Sequence, residues 1–252
     1  MKFNKIVKSL ALTAGLVAGF SANAQMNPDY LDFSIDETEY NGTVKTGDKF
    51  NGGYVEELIF DGQGGFTTGA MAYLTALFQN NGSMPVFGTE LADSYSLYAV
   101  LTASGTTSTN ATDFTATQAQ FSLYIDVNLD TGVDSLIDGT TTNNGDDILI
   151  GSASAVTNAY GQYANGTGNF NFDFTDFVLT TEGEEYFVDP IPFYSLLTVN
   201  GDFDTLANLP SVTGDLSAGF VAAPVSVPEP STVAVLALGL VGLGMSARRK
   251  NK

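Results

Sequence analysis

The sequence predicts an all-β chain: a single β-sandwich-like domain of about nine or ten strands, carried between two targeting ends. Apolar residues between the ends recur with a period of two, most plainly in Phe170-Asn171-Phe172-Asp173-Phe174, where three phenylalanines share one face. The stretches separating such segments are rich in Gly, Asn, Asp, Ser and Thr, residues that accept turn and left-handed backbone. No stretch has the apolar spacing of an amphipathic helix, and no fixed-period repeat points to a solenoid or propeller.

In chain order, strands are expected over 31–35, 54–60, 65–78, 95–103, 114–125, 148–156, 170–175, 185–188, 193–199 and 214–221. Within 65–78 the run Met71-Ala72-Tyr73-Leu74-Thr75-Ala76-Leu77-Phe78 also suits a short buried helix, since Ala and Leu favour helices; strand is the preferred reading. The domain is bounded at 25–221, with 222–227 a Pro- and Ala-containing linker.

Residues 1–24 have the layout of a secretory signal peptide. Lys2, Lys5 and Lys8 precede an apolar stretch over 10–20, and Ala22 and Ala24 supply the small residues of a cleavage site. At the other end, 228–252, Pro228-Glu229-Pro230 leads into an apolar segment, 231–245, and then Arg248, Arg249, Lys250 and Lys252. The prolines hold an extended stretch that a protease can bind. The apolar segment would rise about 22 Å as a helix, enough to lodge in a membrane, with the basic end held on the cytoplasmic side.

Charge separates the ends from the middle. Of 9 basic residues only Lys45 and Lys49 lie between the ends, against 27 of the 28 acids, the other being Glu229 of the tail, so the middle carries a formal −25 where the whole chain carries −19. Such a surface repels phosphates, which argues against nucleic acid as a partner, and makes divalent cations its natural counterions. His and Cys are both absent, which removes Ser-His-Asp, Cys-His and zinc-thiolate chemistry. A carboxylate pair of glycosidase type survives, with Glu56/Glu57 and Glu184/Glu185 as the doublets; adjacent acids on a strand face opposite ways, however, so a doublet is no pair around one bond. The chain is therefore read as non-enzymatic. Tyr160, Tyr163 and Tyr194 could stack on sugars if exposed, although the Trp that such platforms favour is absent.

The candidate metal ligands are Asp126, Asn128, Asp130 and Asp134, following the strand that ends at Ile125. Oxygen ligands at alternate positions can turn around one Ca²⁺. The loop departs from the helix-loop-helix calcium pattern in having Thr131 at position six and Ile137 at position twelve. Asp and Asn equally suit a polar hairpin turn with no ion.

Taken together, Pro228-Glu229-Pro230, the apolar 231–245 and the basic end closely resemble the PEP-CTERM sorting signal of Gram-negative bacteria that make exopolysaccharide. The resemblance implies transient anchorage in the inner membrane and removal of the tail by an exosortase. Further segments resemble the flocculation-associated PEP-CTERM family: Gly53-Tyr54-Val55-Glu56-Glu57, Leu97-Tyr98-Ala99-Val100, Phe121-Ser122-Leu123-Tyr124-Ile125-Asp126, Gly145-Asp146-Asp147-Ile148-Leu149 and Tyr186-Phe187-Val188-Asp189-Pro190-Ile191-Pro192-Phe193-Tyr194. That resemblance implies a cell-surface or matrix protein that holds cells together in exopolysaccharide, with no catalytic residues to carry over.

Overall fold

Strands that alternate inward apolar with outward polar residues have one buried face each, and here those faces meet by closing on one another. The computed structural model describes residues 29–164, 167–204 and 209–222. The signal peptide with Ala22 and Ala24, most of the 222–227 linker, Pro228-Glu229-Pro230 and the expected helix at 231–245 lie outside the described residues.

The strands are β1 (Phe33–Ile35), β2 (Lys45–Gly47), β3 (Lys49–Phe60), β4 (Gly65–Gln79), β5 (Met84–Pro85), β6 (Ser96–Thr107), β7 (Asp113–Asp126), β8 (Gly132–Ser135) and β9 (Thr140–Thr142). They continue with β10 (Ile148–Ala153), β11 (Val156–Ala164), β12 (Thr167–Phe174), β13 (Val178–Leu179), the short helix α1 (Thr181–Tyr186), β14 (Phe187–Asp189), β15 (Leu197–Phe203) and β16 (Ser211–Phe220). Pairing runs β11-β12-β15-β16-β3-β4-β6-β7 and returns from β7 to β11, every pair antiparallel.

The result is a closed eight-stranded barrel with extra strands, so the expected sandwich is corrected to a barrel. A period of two states which residues face inward and is common to both architectures. What separates them is whether the two ends of the strand order pair. Here Phe114 and Thr115 of β7 reach Gly161 and Tyr160 of β11. The long strands coil far enough for this because they are bulged, with Thr75 of β4 the extra residue opposite Asn51/Gly52 and Thr117 of β7 the extra residue opposite Ser104/Gly105. At the first bulge Gly52 lies against its neighbour so closely that a Cβ would stand 1.8 Å from the Tyr73 carbonyl oxygen.

Aromatic layers fill both ends of the barrel. At one end Phe33 of the small β14-β1-β2 sheet packs 5.2 Å from Phe50 and 5.5 Å from Phe220, with Phe187 and Phe193 4.7 Å apart beside it. At the other, Phe114 lies 5.8 Å from both Phe60 and Phe66, and Phe170 5.5 Å from Phe203. Many outward positions are polar, as at Thr67, Thr75, Thr117, Gln120, Asn169 and Asp215, with Val55 and Ile59 among the apolar exceptions, unlike the continuous apolar outer band of a membrane-spanning barrel. Among the described residues no helix is long and apolar enough to cross a membrane.

Two local expectations change. The strand expected over 148–156 breaks at Ser154-Ala155, whose N–H groups donate to the Asp176 carboxylate at 2.9 and 2.8 Å; β11 then begins as a separate strand. The strand expected over 185–188 begins as the end of α1, capped by Thr180, whose Oγ1 accepts from Gly183 N at 3.0 Å.

Candidate binding site inside the barrel

Along β3 the strand period turns Tyr54, Glu56 and Leu58 inward and leaves Val55 and Ile59 exposed. Between the two aromatic layers the wall is built of small residues: Ala70 and Ala72 of β4, Ala99 of β6, Ala116 of β7 and Ala218 of β16, with Gly161 of β11. These leave a cavity of about 60 Å³. Its one acidic lining residue is Glu56, and no basic residue lines it.

Glu56 is buried and its Oε1 contacts Thr68 Oγ1 across the β3-β4 pair. Thr68 Oγ1 also lies 2.9 Å from the Glu57 carbonyl oxygen, which can only accept. Were Glu56 ionised, one hydroxyl proton would face two acceptors; with Glu56 protonated, Thr68 donates to Glu57 and Glu56 donates to Thr68, and both contacts are satisfied. Burial drives the same way, pushing the Glu56 pKa up to about 7 against the opposing pull of the Thr68 hydrogen bond. Among the described residues Oε2 has no hydrogen-bond partner. Nearby, Tyr54 donates its hydroxyl to Asp202 O at 2.8 Å, and burial holds that phenol well above its ordinary pKa.

The barrel wall has a gap in its pairing beside Ala116, which lines this cavity. On the side of β7 away from β6, residues 113–115 pair with β11 and 121–125 with β10, while 116–120 pair with neither. Outside that gap runs an open groove of about 680 Å³ walled by Thr102, Thr117, Gln118, Gln120, Ser154 and Val156, with no acid in its lining.

The residues singled out as metal ligands are placed on the far side of the sheet. Asp126 is buried at the end of β7, where its Oδ1 accepts from Asn128 N at 3.1 Å and Asp130 N at 3.4 Å, and its Oδ2 from Thr131 N at 3.1 Å and Ser96 Oγ at 3.3 Å. Asn128 Nδ2 donates to Asp146 Oδ2 at 2.5 Å, the Asp130 carbonyl accepts from Asn143 Nδ2 at 2.9 Å, and Asp134 accepts from Thr140 Oγ1 at 3.3 Å. Among the described residues no three acidic side chains gather as a metal site.

Of the glutamate doublets, Glu56 and Glu57 divide between inside and outside as strand geometry requires, while Glu184 and Glu185 are exposed on α1. None of the three tyrosines forms a free platform. Tyr160 lines the cavity, Tyr163 packs against the core, and Tyr194 donates to Asp32 O at 2.8 Å. Thr68 and the alanine layer were not foreseen, although the inward parity of Tyr54-x-Glu56-x-Leu58 placed a carboxyl in the core.

Residues 226–250 match the PEP-CTERM protein-sorting motif. The chain thus carries the C-terminal signal of an exported, exosortase-processed protein. No curated protein and no solved structure matches the chain.

Proposed function

We propose that the chain is a matrix-associated surface protein that supports cell aggregation in flocs or biofilm, its acidic exterior bridged by divalent cations to acidic exopolysaccharide. The observation that carries this reading is the charge: 27 acids against Lys45 and Lys49 between the targeting ends, on a barrel whose central cavity takes one acid, Glu56, into its lining. Apart from Glu37, Asp48, Glu56 and Asp126, which are buried, the acids of the described residues are at least partly open to solvent, where a polyanion and a polyanionic protein attract through shared divalent counterions. Transient anchorage in the inner membrane precedes release by the exosortase. We read the role as non-enzymatic, in keeping with a sequence that has neither His nor Cys.

Deleting the gene is expected to disperse aggregates, and chelating divalent cations is expected to disperse them in the wild type. A deletion strain that aggregates normally overturns the reading. A second reading, as a carbohydrate-binding module, is favoured by the acid-free groove over β6 and β7, whose hydroxyl and amide side chains suit sugar hydroxyls. Saturable binding to one defined glycan, lost on Gln118→Glu with Gln120→Glu, separates it from cation bridging.

A further inference from the structure

We infer that the barrel interior binds a small, uncharged, mostly apolar molecule bearing one hydroxyl or N–H donor, with Glu56 as its polar anchor and the gap beside β7 as its way in. This rests on the cavity alone and stands or falls apart from the matrix reading.

Protein cores normally fill to crystal-like density, and a void forfeits the contacts its lining would otherwise make. Here the void is kept open by alanines and a glycine from five different strands, between end layers that hold large aromatic side chains. An eight-stranded barrel is wide enough either to be filled by its own side chains or to hold one small ligand. One lining residue is a buried carboxyl whose Oε2 faces no protein donor. Buried acceptors are ordinarily satisfied, and a guest with a single donor would satisfy this one.

The chemistry of the guest follows from the lining. With no basic residue there, an anionic ligand has no counter-charge. A cation would have to ionise Glu56, leaving Thr68 with two acceptors for one proton. A neutral alcohol or amide N–H avoids both costs. The volume, about 60 Å³, is less than half of the roughly 150 Å³ that accepts benzene, so the guest is smaller than a benzene ring. The unpaired stretch 116–120 lies between the outer groove and the cavity, with Ala116 lining the cavity and Gln118 and Gln120 the groove. A guest entering there need not break a β-ladder.

The test uses the full chain with two probes of equal heavy-atom count, both smaller than benzene: 1-propanol, which has a donor, and ethyl methyl ether, which has none. Ligand-observed NMR titration is expected to show saturable 1-propanol binding at millimolar Kd or tighter, with the ether about tenfold weaker, the worth of one hydrogen bond to a buried group. Glu56→Leu is expected to reduce that preference to within about twofold. Glu56→Gln is expected to keep it, because an amide can donate to Thr68 and present its oxygen to the cavity. Ala99→Val, which fills the void, is expected to weaken both probes together. Absence of saturable binding to the folded wild type overturns the inference, as does a preference that persists in Glu56→Leu. Should Glu56→Leu not fold, the remaining pair decides: loss of the preference in folded Glu56→Gln, or unchanged binding in folded Ala99→Val, overturns it.

Discussion

A carboxyl buried in an apolar barrel holds its proton more tightly than the same carboxyl in the unfolded chain. Glu56 has its pKa pushed to about 7 from the ordinary 4.5, so between those values the native protein keeps a proton that the unfolded chain has released. Stability therefore falls as pH rises through this window and is flat on either side, with a total change of about 3 kcal/mol. Glu56→Gln is neutral at every pH and lacks this dependence. Its melting midpoint is expected to match the wild type near pH 4, to exceed it increasingly up to pH 7, and to hold a constant margin above. A margin that does not vary with pH would mean that the native carboxyl is ionised throughout. Asp126 is buried as well, and its side-chain oxygens accept from loop N–H groups and the Ser96 hydroxyl. Asp126→Ala leaves those donors orphaned and is expected to cost about 2–4 kcal/mol. Because the residue organises its loop through these bonds, the loss should be equal in excess EDTA and in millimolar Ca²⁺. A loss that differs between the two would place an ion on that carboxylate.

At the scale of elements, the excursion carrying β8 and β9 is held to the outside of the barrel by backbone proximity. At Gly69 of β4 a Cβ would stand 1.8 Å from the Leu136 carbonyl oxygen, so Gly69→Ala forces the excursion away from the sheet. It also pulls on the Tyr73 hydroxyl, which donates to Thr131 O at 2.8 Å. A loss of about 2–3 kcal/mol is expected, with faster hydrogen exchange over 131–142 and little change in β3. Uniformly faster exchange would show that the excursion is not a separate unit. The same elements show what sequence patterning conveys. The long strands β3, β4, β6, β7 and β12 were readable because each alternates inward and outward positions over a run of residues, with an apolar inward face broken in β3 by Glu56. The Met71-to-Phe78 run, which also suited a helix, is strand because Leu74 and Leu77 are buried on either side of a bulge opposite β3. By contrast β11 was hidden, since Asn158 takes a left-handed φ of 48° and the register shifts between Thr157 and Tyr160. Without β11 the barrel cannot close, so the strand that decides between sandwich and barrel was the one whose parity was broken. The cavity was hidden for a related reason: alanines on inward positions read as ordinary core until the facing strands are known to be alanine-lined too.

The whole molecule separates two electrostatic regimes, an apolar cavity with one acid, Glu56, in its lining and an exterior where like charges crowd. Exposed charges at such density destabilise the compact state by self-repulsion, and salt screens that repulsion over a Debye length of about 10 Å at 0.1 M. Raising NaCl from about 10 to 500 mM is therefore expected to raise the melting midpoint. Ca²⁺ and Mg²⁺ should do so at far lower concentration and to similar extents, because they act as diffuse counterions on acids that form no three-carboxylate site among the described residues. The same diffuse attraction predicts the behaviour with polymer. Polygalacturonate, an acidic polysaccharide, is expected to co-sediment with the protein in millimolar Ca²⁺, to release it in excess EDTA or about 1 M NaCl, and to do both equally with Glu56→Gln, since that side chain never meets the polymer. Co-sedimentation that survives EDTA would require direct contacts, and the acid-free groove over β6 and β7 is where a polyanion could approach without repulsion. Gln118→Glu with Gln120→Glu would then abolish it, while leaving Ca²⁺-dependent bridging untouched.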